Sequence, residues 1–147
     1  MKQDLMLKRK ATAVWQGGLK EGKGTVSTES GTLSRASYGF TTRFEQEKGT
    51  NPEELIAAAH AGCFSMAFSA QLGNAGMTPE SVQTTATVGF EKQEVGWTIT
   101  EVHLDVTAKI PGANKEVFDK AAQNAKSGCP ISRVLNAKIT MEAKLIS

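Results

Sequence analysis

Between Leu55 and Leu72 the chain reads LIAAAHAGCFSMAFSAQL, a run whose only polar side chains are His60, Ser65, Ser69 and Gln71. A helix that is apolar on nearly every face must be buried on nearly every face. One small sheet cannot do this. The start of the helix is marked by Asn51 as N-cap, Pro52 at the first helical position and Glu54 at the third, where a carboxylate can reach back to the cap. Gly73, Asn74 and Gly76 supply residues that end helices and form turns. Small residues recur at four-residue spacing, Ala59, Cys63 and Ala67 along one row and Ala58 with Gly62 along another, which allows a second helix to approach closely. The run approaches the roughly 20 residues that a bilayer needs. Its Ala, Ser and Gly content and its His60 argue against a span, so burial between two subunits is the expectation.

Around this helix the pattern is mainly strand-like. The segments ATAVW, GTVSTES and SYGFTTRFE are short, rich in Thr, Val and aromatics, and separated by glycines, which predicts an antiparallel meander. Val82, Thr84, Ala86, Val88 and Phe90 alternate, as do Val102, Leu104, Val106, Ala108 and Ile110, which predicts a hairpin turning near Gly96. Val117, Ala121, Ala122 and Ala125 have helical spacing and stop at Gly128, and Ile139, Met141, Ala143 and Leu145 alternate again. The fold class expected is α+β, mostly antiparallel sheet with two principal helices, in a single domain spanning 1–147. A chain of 147 residues suits one ordinary core.

The net charge of +2 is spread along the chain, and no basic run is interleaved with aromatics, so no nucleic-acid footprint is written in it. The N-terminal stretch MKQDLMLKRKATAVW lacks the apolar segment of a signal peptide, and a cytoplasmic location is expected. In that reducing compartment Cys63 and Cys129 are more readily chemical or simply buried than a structural disulfide.

A reactive thiol needs something that stabilises its thiolate. The dipole of its own helix cannot serve Cys63, which lies about 16 Å along the axis from Pro52, because that effect fades within the first turn. A guanidinium about 4 Å away at an effective dielectric near 20 would contribute about 4 kcal/mol. The arginines are Arg9, Arg35, Arg43 and Arg133. Of these, Arg43 sits between Phe40 and Phe44 just before the apolar helix, although a surface salt bridge is its ordinary alternative. Cys129, in SGCPISRVL, falls where one helix ends at Gly128 and a short one begins at Pro130. Backbone N–H groups there favour a thiolate, so spacing leaves open which cysteine attacks first.

Taken together, KEGKGTVSTESGTL, YGFTTRFEQEKGTNPEELIAAAHAGCFSMAFS and AKSGCPISRVL resemble the osmotically inducible protein C branch of the OsmC/Ohr family of thiol peroxidases, over essentially the whole chain. The resemblance implies an OsmC-like fold, with mostly antiparallel sheets around two central helices in an intertwined homodimer. It implies cysteine-based reduction of organic hydroperoxides, with Cys63 attacking, Cys129 resolving as a Cys63–Cys129 disulfide, and Arg43 and Glu54 completing the site. It implies no metal or prosthetic group, and an external thiol reductant, for which a dihydrolipoyl-type dithiol is one candidate. In the sibling branch the arginine comes from an earlier glycine-rich turn; here QGGLKEG carries Lys20 and no arginine. Two rival readings remain: a metal site from His60, Cys63 and Cys129, and a small-molecule or lipid-binding stress protein with inert thiols.

Overall fold

The computed structural model describes residues 5–147 and divides the chain into two compact units, one ending at Pro52 and one spanning Glu53–Ser147. The first unit is an antiparallel meander of β1 (Ala11–Gln16), β2 (Lys23–Thr28) and β3 (Ala36–Tyr38), followed by a short helix α1 (Phe40–Phe44). Its centre is Gly24. A Cβ there would stand 2.6 Å from both Trp15 Cε3 and Tyr38 Cε1, so glycine lets these two rings close over the strand with centroids 5.6 Å apart. The segment SYGFTTRFE, expected as one strand, is divided at Gly39 into the end of β3 and all of α1. Thr42 accounts for the break: its hydroxyl donates to Gly39 O at 3.0 Å and accepts from Gly39 N at 2.7 Å, local bonds that compete with strand pairing.

The second unit contains α2 (Pro52–Asn74), whose first residue is the last of the first unit, then β4 (Ser81–Gln93), β5 (Gly96–Lys109), α3 (Lys115–Gly128), α4 (Pro130–Val134) and β6 (Lys138–Ile146). The predicted hairpin is present: β4 and β5 are antiparallel and turn into Gly96 at φ +126°. The last strand, β6, pairs parallel to β5, because α3 and α4 carry the chain back to the same end of the sheet. Asn114 caps α3 by accepting from Val117 N at 3.0 Å. The end of α2 is a Schellman turn, with Gly76 at φ +82°, Met77 N donating to Leu72 O at 2.9 Å and Gly76 N to Gly73 O at 3.0 Å.

One core fills this unit. His60, Phe64, Phe68 and Leu72, four residues apart on α2, are fully buried with Phe118 and the alanines of α3 and with Val102, Leu104, Val106 and Ala108 of β5. The rest of α2 is less enclosed within the chain. Ala58, Ala59, Gly62 and Ala70 are exposed, and Met66 is 78% exposed. By length and composition α2 also passes as a membrane span.

Candidate active site

Cys63 lies halfway along α2, half-buried, and Cys129 is the fully buried residue that both caps the end of α3 and begins α4; both are free thiols. The structure brings the two together. Burial and the Cys129 thiol beside it push the Cys63 thiol up from its ordinary value, while a hydrogen bond from the Ile131 backbone N–H pulls it down. The net direction is upward. The N-terminal turn of α4 was expected to serve Cys129 itself; instead Cys129 makes no side-chain cap, and the N–H of Ile131 serves Cys63. The first N–H groups of a helix have no intrahelical acceptor, so α4 offers this donor without losing a bond of its own.

The two carboxylates at the start of α2 differ. Glu53 is 6% exposed and shares the phase of the buried stripe, whereas Glu54, the residue singled out from the sequence, is exposed. A carboxylate is rarely enclosed without a partner. Glu53 is therefore the functional candidate that sequence reasoning missed, and its signal was available: it stands seven residues before His60, in step with that stripe. Along the unbroken α2, Glu54 is about 180° around the axis from Cys63, and Glu53 is about 80° around and about 15 Å away. Neither carboxylate reaches the sulfur of its own helix.

Arg43 belongs to the first unit. Its guanidinium lies over the Phe44 ring, 5.1 Å from the centroid, as a cation–π contact. It lines a cleft of about 280 Å³ with Trp15, Leu19, Tyr38, Phe40 and Phe44. The walls are apolar and aromatic around one cation, a surface suited to an apolar molecule with a polar end.

His60 does not join the thiols as a ligand. Its Nε2 lies 2.7 Å from Ser132 Oγ, and among the described residues no three His, Cys, Asp or Glu side chains are grouped to hold a metal ion.

Known proteins resemble this chain over most of its length. Residues 45–144 match the family described as OsmC-like protein. The chain is 54% identical to Peroxiredoxin OsmC of Escherichia coli over 97% of its own length and all of that relative's. It is 30% identical to the organic hydroperoxide resistance protein OhrA of Bacillus subtilis, covering 85% of this chain and 89% of that one. Among solved structures, an organic hydroperoxide resistance protein from Elizabethkingia anophelis has the same fold, with a TM-score of 0.75 at 24% identity over 97% of this chain and 99% of that one. The chain belongs to the OsmC-like protein family.

Proposed function

We propose that this protein is a thiol-dependent peroxidase that reduces organic hydroperoxides to alcohols, with Cys63 as the attacking thiol and Cys129 as the resolving one. The observation that carries the reading is the pairing of the two thiols at the head of α4. The Cys63 thiolate attacks the outer peroxide oxygen, the O–O bond breaks, and the departing alkoxide takes a proton to leave as alcohol. Cys63 is then a sulfenic acid. The Cys129 sulfur attacks it, the S–S bond forms and water leaves. An external dithiol, for which the dihydrolipoyl type is a fitting candidate, reduces the disulfide and restores both thiols. A cytoplasmic setting suits that step.

Because its own unit pushes the Cys63 thiol up, the thiolate needs a cation, and Arg43 is the arginine proposed to supply it and to polarise the peroxide. A carboxylate paired bidentately would fix the plane of the guanidinium. The resemblance pointed to Glu54 for this role; burial supports Glu53. The aromatic cleft around Arg43 favours an alkyl or lipid chain over hydrated hydrogen peroxide.

The protein is further proposed to act as a homodimer, with the whole chain as one functional domain. The exposed apolar face of α2 supports this, as does the distance of both carboxylates from Cys63 along one helix. A site that needs thiol and carboxylate together would draw them from two copies. Gly62 is the place to test it, since a Cβ there meets nothing within 4 Å in the chain. Gly62→Glu should leave the fold intact and halve the mass measured by sedimentation; an unchanged dimer would remove α2 from the interface.

Mass spectrometry after one equivalent of an alkyl hydroperoxide tests the thiol roles. Cys63→Ser should consume no peroxide, and Cys129→Ser should stop at the sulfenic acid. Arg43→Ala should slow the attack on the order of tenfold or more, with Glu53→Gln having a larger effect than Glu54→Gln. Peroxide reduction by Cys63→Ser at the wild-type rate would leave the rival reading, a binding protein with inert thiols.

A further inference from the structure

The peroxide chemistry leaves His60 without a task, yet it is fully buried on α2, three residues before Cys63 and on the same side of the helix. Its Nε2 lies 2.7 Å from Ser132 Oγ, and its Nδ1 is buried with no hydrogen-bond partner among the described residues. A neutral imidazole carries one N–H. Placing that proton on Nδ1 would orphan a buried donor at a cost of about 1–3 kcal/mol. The proton therefore sits on Nε2 and is donated to Ser132. Burial lowers the pKa of His60 and keeps the ring neutral.

The acceptor lies in a helix that needs holding. All five residues of α4 are exposed or half-buried, and its apolar anchors are Ile131 and the following Leu135, each only partly enclosed. A helix this short does not keep its place by its own hydrogen bonds. It nevertheless carries both groups that act on Cys63: the Ile131 N–H and, at its head, Cys129. Ser132 follows Ile131 directly and stands three residues after Cys129, so a tether at Ser132 fixes both.

We infer that the His60–Ser132 hydrogen bond holds α4 in the place where the Ile131 N–H meets the Cys63 sulfur and Cys129 stands ready to form the disulfide. His60 and Ser132 are positioning residues for the thiol pair. The inference rests on the thiol roles proposed above. It extends them by naming what sets the donor on the attacking sulfur.

The experiment uses the full chain with Cys129→Ser, so that one thiol titrates, and compares Ser132→Ala, Ser132→Thr and His60→Leu by ultraviolet thiolate absorbance and by single-turnover reaction with an alkyl hydroperoxide. Ser132→Ala and His60→Leu should titrate higher by about half to one pH unit, which makes attack about three- to tenfold slower at neutral pH. The rate should recover at alkaline pH, where the thiolate is complete. Ser132→Thr, which keeps the hydroxyl, should restore both readings. A wild-type titration in Ser132→Ala overturns the inference. A slow rate that alkaline pH does not recover also overturns it, since it marks general loss of packing, as does failure of Ser132→Thr to rescue. Because the titration needs no peroxide, its outcome is separate from that of the peroxidase reading, which stands or falls with Cys63→Ser.

Discussion

In the second unit Phe64, Phe68, Leu72 and Phe118 are fully buried among one another and against β5, whereas in the first unit the buried positions among the described residues are Gly24 and Thr42. All six residues of β1 are exposed, Val14 and Trp15 among them. A three-stranded sheet needs a covered hydrophobic face to be stable. The second unit therefore carries its own reason to fold, and it holds the thiol pair. The first has the aromatic contacts around Gly24 in place of such a core, and it holds the arginine. The thiol geometry should tolerate damage to the first unit, while the Arg43 cleft should not.

The largest effect that can test this contrast lies in the second unit's core. Phe68 has ring centroids 5.6 Å from Phe64 and 5.3 Å from Phe118. Phe68→Ala should cost about 3–5 kcal/mol, read by urea denaturation. A loss below about 1 kcal/mol, where ordinary surface changes lie, would break the claim that this unit rests on one core.

A smaller effect is expected in the first unit. Gly24→Val puts side-chain atoms where the Trp15 and Tyr38 rings now close, and overpacking of this kind costs about 1–3 kcal/mol. The change should alter Trp15 fluorescence and lower peroxide turnover, while the disulfide proposed between Cys63 and Cys129 still forms. If the disulfide is lost as well, the thiol pair is not independent of the first unit.

The smallest effect is in the pH dependence of stability, and it belongs to the second unit. Burial lowers the pKa of His60, so the unfolded chain takes up its proton first as pH falls. Stability is full above the unfolded value near 6.5 and declines below it. The raised pKa of Cys63 acts at the other end. Stability is kept below the unfolded thiol value and is lost as pH rises through the folded one. His60→Leu should flatten the acid limb, and Cys63→Ser the alkaline one, in denaturant melts across pH.

Much of this architecture could be read locally. The start of α2 is written in Pro52, its end in Gly76, the end of α3 in Gly128, and the hairpin in two alternating runs that meet at Gly96. These signals are short-range. Caps, positive-φ glycines and apolar periodicity act within a few residues and do not wait for the fold. The same locality explains why SYGFTTRFE is not one strand: β-branched and aromatic residues favour strand in general, and two hydrogen bonds between Thr42 and Gly39 divide the segment between β3 and α1.

Both cysteines and their candidate cation were visible in the sequence as residue types, but the surroundings of Cys63 were not. Nothing in the spacing could decide that β6 runs parallel to β5, or that Ile131 directs its N–H to Cys63 rather than Cys129. Nor could it join His60 to Ser132, 72 positions away. Local signals settle most of the elements, and residue types settle which reactive groups exist, because backbone preferences and side-chain chemistry are properties of neighbours in the chain. What surrounds the sulfur is set by packing, because burial and hydrogen bonding at Cys63 depend on how α4 docks against α2, and that follows from a core shared across long stretches of chain.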